Sequence, residues 1–218
     1  MAKTYEKRAL MTGAGALFVD FMETEATSDT PPTYAGAVVE TPSLNTLDAT
    51  FEVTETQVYL SNLLHDDLSA VRSATISLEA GYLPRDFAEE AQGKVKIGGS
   101  WAMPTNPVKK PFRLAVPFTD SNGDEYIVNF PNCTLSPVDI SGQTQGEEAT
   151  EQLKSFNIIA RPLPYNASAG DKTINPVVLT MDMADPENKS QYDRDDLLES
   201  GWFDETSLAG ATSSTGGA

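Results

Sequence analysis

Two alternating apolar runs flank an Asn-Gly pair near the middle of the chain, and together they leave little choice of local structure. Before the pair, every second position is apolar, at Phe112, Leu114, Val116 and Phe118. After it, the same spacing recurs at Tyr126, Val128 and Phe130. A period of two is typical of a strand with one buried face, and Gly123 can supply the positive φ of a tight turn. The segment predicts an antiparallel β-hairpin.

Further strands are predicted along the chain. The clearest is residues 73–83, where one face carries Ala74, Ile76, Leu78, Ala80 and Tyr82. The other predicted strands are residues 16–22, 34–40, 49–60, 156–161 and 177–183. Because mostly short segments rich in Pro, Gly and Asn join them, the expected fold is mainly β, an antiparallel β-sandwich or barrel with extended loops and arms.

One short α-helix is predicted at residues 84–92, flanking the sheet. Pro84 suits the first helical position, Asp86 complements the positive end of the helix dipole, and Gly93 suits the position just past the helix. A second helical turn or two is predicted at residues 61–71. One face of that turn would carry Leu64, Leu68 and Val71.

Composition divides the chain into two parts. Residues 1–178 are expected to form one β-rich domain with an N-terminal arm and a long early loop. Residues 179–218 are expected to form an acidic C-terminal extension that ends in a flexible tail rich in Ser, Thr and Gly. Between Asp182 and Glu205 there are nine acidic residues against only Lys189 and Arg194.

Acidic side chains dominate the whole chain. There are 15 Lys and Arg against 32 Asp and Glu, a formal net charge of −17. Nucleic acids and anionic membranes are therefore disfavoured as ligands, because affinity for both comes largely from Lys and Arg. The one clustered basic run, Lys109 and Lys110 with Arg113, is expected to be solvated at the start of a strand.

One cysteine and no apolar leader favour a reducing compartment. Cys133 cannot form a disulfide within the chain, and it is expected to be a small buried residue. The first residues lack the apolar stretch of a signal peptide, and no segment is long and apolar enough for a membrane span. The protein is expected to be made and to mature in the cytoplasm.

No pattern in the sequence predicts a catalytic, cofactor-binding or metal-binding residue. His65, the only histidine, adjoins two aspartates but lacks partner ligands, so it is expected on the surface or in a loop. Asp120, Asn122 and Asp124 resemble the start of a calcium loop, but Pro131 occupies the twelfth position, so a hairpin turn is expected. Paired carboxylates of a hydrolase are disfavoured because acids are everywhere in this chain.

Two further features, a glycine-containing segment and the two tryptophans, do not indicate a catalytic site. Residues 13–18 resemble the start of a phosphate-binding loop but lack its third glycine and its lysine, so a flexible or closely approached segment is expected. Trp101 and Trp202 lie in less regular segments. Either could anchor an interface or pack at the edge of the core, and the sequence leaves both possibilities open.

The order of these features resembles the major tail (tail tube) proteins of siphophages over residues 5–165. The resemblance rests on the N-terminal arm, the long early excursion ending in the segment at residues 59–67, the alternating strand, and the short helix. It continues through the Asn-Gly hairpin and the closing strand at residues 154–162.

The resemblance implies a β-sandwich or barrel flanked by one helix, six copies in a ring, and rings stacked around a tape-measure protein into a tube. DNA would pass through in transit without specific binding, and tail-terminator and distal tail proteins would be further partners. The protein would be located in the virion tail, assembled in the host cytoplasm, with no membrane. An early loop within residues 35–64 would bridge subunits, with contact residues Phe51, Val53, Tyr59, Leu60, Leu63 and Leu64.

Three alternatives stay open at this point. The first is another virion subunit, such as a capsid decoration or tail-terminator protein. The second is a ligand-binding β-sandwich, which needs exposed aromatic residues on one face. The third, an enzyme, is disfavoured because no trio of nucleophile, base and orienting residue is present.

Overall fold

The computed structural model describes residues 9–60, 63–139 and 153–212, and for residues 56–60 and 63–68 only the backbone. The chain is mainly antiparallel β with few short helices, which confirms the predicted fold class. Its strands are β1 (Met11–Ala14), β2 (Leu17–Thr24), β3 (Thr33–Tyr34), β4 (Val39–Thr41), β5 (Leu44–Leu60), β6 (Leu63–Ala80), β7 (Val95–Ile97), β8 (Ser100–Ala102), β9 (Phe112–Asp120), β10 (Glu125–Leu135), β11 (Lys154–Ala160), β12 (Ala167–Ala169), β13 (Lys172–Ile174) and β14 (Leu179–Asp182). Its helices are α1 (Arg85–Ala91), α2 (Pro186–Gln191), α3 (Arg194–Glu199) and α4 (Glu205–Leu208), followed by a 3-10 turn at Ala209–Ala211.

In the part of the chain that the structure describes, the main sheet has ten strands and curls into a barrel. Its order is β3-β2-β9-β10-β11-β6-β5, and β4 pairs with β2, β1 with β9, and β14 with β10. Only Pro42 and Ser43 separate β4 from β5, yet these two strands pair with β2 and β6, which lie well apart in the sheet order. The sheet must therefore bend round until its two sides meet, as in a barrel.

Apolar side chains and helix α1 fill the barrel. Phe87 of α1 lies 4.8 Å from Phe21 and 5.1 Å from Phe112, measured between ring centroids. The helix ends at Ala91, and Gly93, just past the helix, has a φ of +77° that suits glycine. The predicted helix and its packing against the sheet are thus confirmed. The buried residues around it are Leu17, Val19, Ala74, Ile76, Leu78, Ala80, Leu114, Val116, Phe130, Cys133, Leu135, Phe156, Ile158 and Ala160.

The predicted Asn-Gly hairpin is confirmed as β9 and β10. Gly123 has a φ of +86°, as its tight turn requires. The Asp120 carboxylate oxygen Oδ1 accepts hydrogen bonds from the backbone N–H groups of Asn122 (2.8 Å) and Asp124 (3.0 Å). The residues that resemble a calcium loop therefore serve the turn itself.

A second layer covers the outer face of the barrel. Strand β14 joins the sheet beside β10, and the helices after it pack on the outer face of the sheet. The predicted boundary between residues 178 and 179 falls at the first residue of this strand, so the acidic residues 179–212 are packed on the barrel. We call residues 179–212 the C-terminal layer. Its buried cluster comprises Phe18, Ala115, Ile127, Met181, Met183, Leu197, Leu198, Trp202 and Ala211. Residues 213–218, within the predicted flexible tail, lie outside the described residues.

Four features differ from the sequence prediction. The helix predicted at residues 61–71 is wrong, because β6 begins at Leu63 and pairs with β5, which supplies backbone hydrogen-bond partners along its length. The early loop is likewise mostly strand. The strand predicted at residues 34–40 is split into β3 and β4 around Gly36, which has a φ of +68°. Tyr82 is 56% exposed, because β6 ends before it.

Candidate assembly surface

Strands β5 and β6 extend well beyond the barrel. Strand β11 pairs with β6 along residues 74–80 only, whereas β5 and β6 remain paired with each other as far as Leu60 opposite Leu63. Residues 52–60 and 63–73 therefore form a two-stranded ribbon, here called the arm. In the described pairings it is paired only with itself. At roughly 3.3 Å per residue the arm is about 30 Å long.

Exposed apolar side chains mark the base of the arm. Phe51 is 43% exposed, Val53 50% and Val71 42%. Val53 and Val71 are register partners across the ribbon, so their side chains are close neighbours. The hydroxyl of Ser73 donates a 2.8 Å hydrogen bond to Glu52 between these apolar residues. We call Phe51, Val53 and Val71 the arm base.

The arm base includes two of the predicted contact residues, Phe51 and Val53. Val71 was not among the predicted contacts, because the spacing of its neighbouring leucines also fits one face of a helix. Pairing β5 with β6 in register would have identified it, because that register places Val71 directly opposite Val53.

The other four predicted contact residues lie at the far end of the arm. Tyr59 is the register partner of Leu64, and Leu60 is the register partner of Leu63. The backbone thus brings all four together around the tip. Their side chains lie outside the description, so their role as contacts stays a prediction.

A buried arginine fixes the C-terminal layer to the barrel. Arg113 is fully buried, and it donates hydrogen bonds to the carbonyl oxygens of Leu198 (2.9 Å) and Glu199. Its register partner on β2 is Asp20, which is 2% exposed. Burial lowers the pKa of Arg113, and the nearby charge of Asp20 opposes that shift. The prediction that this arginine is solvated is wrong, because the C-terminal layer covers it.

Neutral polar groups make further hydrogen bonds in the C-terminal layer and in the barrel beneath it. The amide of Asn129 donates to the Trp202 carbonyl (2.6 Å), and the Trp202 indole N–H donates to the Leu197 carbonyl (2.9 Å). Tyr34 donates from its hydroxyl to the Pro131 carbonyl (2.8 Å), and burial raises the pKa of this tyrosine. Trp202 is 2% exposed, so of the two possibilities left open by the sequence, core packing holds for it.

Other residues singled out in the sequence have structural surroundings. Cys133 is fully buried, as predicted, and burial raises the pKa of its thiol. Gly15 is closely approached, since its N–H donates to the Pro117 carbonyl at 2.7 Å. Trp101 is half-exposed, with the Lys96 ammonium 5.1 Å from its ring centroid.

His65 lies within β6, and its side chain is outside the description. Across the residues whose side chains are described, no group of three or more His, Cys, Asp and Glu side chains could hold a metal ion. Within the described part of the chain, no helix is long and apolar enough to cross a membrane.

Comparison with known proteins gives distant structural likenesses only. No protein-family model matches the sequence, and no curated protein matches it. A chain in the cryo-EM structure of the anti-feeding prophage (AFP) baseplate, 6-fold symmetrised, aligns with a TM-score of 0.35 and 8% identity, covering 84% of this chain and 98% of that one. A chain of the anti-feeding prophage cap, the tube terminating cap, aligns with a TM-score of 0.34 and 11% identity, covering 84% and 95%.

Proposed function

We propose that this protein is a structural component of a phage-type tail, which assembles with copies of itself into stacked six-membered rings that form the tube for DNA passage. The observation that carries the proposal is the arm, a ribbon that leaves the barrel with exposed apolar side chains at its base. The ring size and the tube come from the resemblance of the sequence to siphophage tail tube proteins.

The arm has the properties of a segment that is completed by a partner. A two-stranded ribbon is marginally stable alone in water, and its outer edges present unpaired backbone groups to any strand that approaches. Exposed Phe51 and Val53 add apolar area that water does not favour. A neighbouring copy in the same or the next ring would cover both.

The proposed contacts follow from this arrangement. Phe51 and Val53 with Val71 would pack against a neighbouring barrel at the base of the arm. The residues around the tip, Tyr59, Leu60, Leu63 and Leu64, would reach a more distant copy. A length of about 30 Å is sufficient to cross from one small domain to the next.

The charge of the subunit suits a passage for DNA. A surface rich in carboxylates repels phosphates, so DNA in transit finds no site of high affinity. Screening limits this repulsion to about 8 Å at physiological salt, so only acids that face the channel would contribute. A tape-measure protein inside the tube and terminator and distal tail proteins at its ends complete the proposal, which places the protein in the virion tail after assembly in the host cytoplasm.

Electron microscopy of the purified protein over a range of concentrations tests the proposal. We expect six-fold rings or hollow filaments. Stable monomers or trimers at every concentration would contradict it, and rings that never stack would exclude the tube while leaving a terminator-like role.

A matched pair of variants tests the arm itself. Val53→Ser removes an exposed apolar side chain from the arm base, and Ile174→Ser removes one of similar exposure from the separate β12–β13 hairpin. We expect Val53→Ser to raise the concentration needed for assembly about tenfold and the control to leave it unchanged. Both should fold, because exposed substitutions change stability by about 0.5 kcal/mol or less. Equal assembly of the two would show that the arm base is not a contact.

A further inference from the structure

A second excursion leaves the barrel between helix α1 and strand β9. It begins at Gly93 and returns at Val108, and the two backbones are so close that a side chain on Gly93 would overlap the Val108 backbone. Strands β7 and β8 form a small hairpin within it, joined by Gly98 and Gly99. We call residues 94–108 the basic loop.

The basic loop differs from the rest of the chain in both charge and exposure. The loop contains Lys94 and Lys96, is followed directly by Lys109 and Lys110, and has no acidic residue, in a chain where acids outnumber bases two to one. Lys94 is paired with Glu89 and Lys110 with Glu90 of α1, which leaves Lys96 and Lys109 as the basic groups outside these ion pairs. Lys96 is exposed, and Lys109 is half-exposed. The exposed apolar side chains are Val95 (54%), Ile97 (66%), Met103 (44%) and Val108 (85%). Such a mixture of apolar and basic side chains suits an acidic surface with an apolar part.

A surface of that kind lies at the opposite end of β9. The basic loop rejoins the barrel just before Phe112, the first residue of β9, and an acidic groove begins at Asp120, the last. The two ends are about 26 Å apart along the strand. The groove has a volume of about 430 Å³, and its lining includes Asp120, Asp124, Asp182, Asp185 and the exposed Met11. Asp124 is paired with Lys189 at 2.8 Å, and the carboxylates of Asp120, Asp182 and Asp185 accept hydrogen bonds from nearby backbone N–H groups.

We infer that the basic loop of one copy docks into the acidic groove of the next copy. This inference rests on the proposed function, and it names the surface through which rings stack. The occupant is a second copy because the two surfaces are complementary in charge, both carry exposed apolar groups, and they lie at opposite ends of one strand. Such a contact leaves one free loop and one free groove at the ends of any stack, so it extends without limit.

Cross-linking tests the contact directly. Ile97→Cys places a thiol on the basic loop and Ala184→Cys places one in the groove, where Ala184 is exposed. The native Cys133 is buried and should not take part. Under mild oxidation the double variant should give a ladder of covalent oligomers, whereas each single variant should not pass the dimer. The control Ile174→Cys with Ala184→Cys should give no ladder.

Charge removal provides a second test with a close control. Asp185→Asn keeps the side-chain oxygen that caps helix α2 but removes a negative charge from the groove. The control Asp193→Asn keeps the oxygen that caps helix α3 and removes a negative charge that is not in the groove lining. We expect Asp185→Asn to shorten filaments several-fold at low salt, with the difference disappearing at high salt.

The outcomes separate the inference from the function on which it rests. Wild-type protein that never assembles would contradict the proposed function. Wild-type filaments with no ladder from the double variant, or with equal filament lengths for Asp185→Asn and Asp193→Asn, would overturn the docking of the basic loop while the proposed function stands.

Discussion

The Arg113 guanidinium reaches from strand β9 to the backbone of the C-terminal layer, where it donates a 2.9 Å hydrogen bond to the carbonyl oxygen of Leu198. The two residues are 85 positions apart in sequence. The bond lies on the face of β9 that points away from the barrel interior. One side chain of this strand therefore binds the C-terminal layer, whose buried cluster is separate from that of the barrel interior.

Replacement of this arginine should destabilise the whole subunit. In Arg113→Met the carbonyls of Leu198 and Glu199 lose their donors, and Asp20 is left buried without its neighbouring cation. A buried acceptor left without its hydrogen-bond partner costs about 1–3 kcal/mol. Urea unfolding should show a lower midpoint than wild type. The exposed Arg161→Met should unfold almost as wild type does, and similar midpoints for the two variants would contradict the role assigned to Arg113.

A methyl group at Gly201 should have a comparable effect through packing alone. The Cβ of alanine there would overlap the ring of Tyr34, which is partly buried and hydrogen-bonded to the Pro131 carbonyl. Forced repacking of this kind costs about 1–3 kcal/mol. Gly210→Ala is the matched control, because nothing lies within 4 Å of the added atom. Thermal melts should show a clear loss for the first variant and none for the second.

Stability should fall in alkaline solution in two steps. Burial raises the pKa of Cys133 above its ordinary value of 9.0 and that of Tyr34 above 10.0. Above those pH values the unfolded chain loses protons that the folded chain retains, so the free energy of unfolding decreases by about 1.4 kcal/mol per pH unit for each group. Below pH 9 neither group contributes a slope.

Denaturation profiles between pH 7 and 11 measure this effect. Cys133→Ala should remove the decrease that begins near pH 9, and Tyr34→Phe should remove the one that begins near pH 10. A wild-type profile that stays level to pH 11 would show that neither group is buried in solution as described.

Shortening the arm should separate folding from assembly. Replacing residues 53–71 with an Asn-Gly turn leaves the pairing of β6 with β11 at residues 74–80 unchanged. We expect a folded barrel with nearly the wild-type melting temperature and no filaments by electron microscopy. Filaments from the shortened chain would show that assembly does not need the arm, and loss of the folded state would show that the arm belongs to the core structure.

The sequence predicted the barrel interior better than its outer face. Alternation at residues 73–83 predicted the buried face of β6, because the apolar residues of that face recur at every second position of the sequence itself. On β9 the same pattern accounts for Phe112 and Leu114 but not for Arg113 between them. The layer that buries Arg113 comes from residues far along the chain, and no local pattern reports such a contact.

The arm was predicted in position but not in form. Residues 61–71 have leucines at a spacing that fits one face of a helix, and strand pairing with β5 decides against it. The candidate surface was also predicted in part. Phe51 and Val53 were predicted as contacts from the resemblance to tail tube proteins, in which an early loop bridges subunits. Val71 could be identified only from the register of β5 with β6, and the basic loop only once the two ends of β9 were known.

The connection between β4 and β5 gives the subunit a mechanical property. The strand that closes the barrel runs directly into the arm, so tension applied by a neighbour at the tip passes into the barrel wall. A pull at the tip draws β5 and β6 in the same direction, so it loads in shear the hydrogen bonds of β6 with β11 along residues 74–80, many at once instead of one after another. A tail built from such subunits would resist stretching through backbone hydrogen bonds within each subunit, whereas side-chain contacts between subunits would determine only how the subunits assemble.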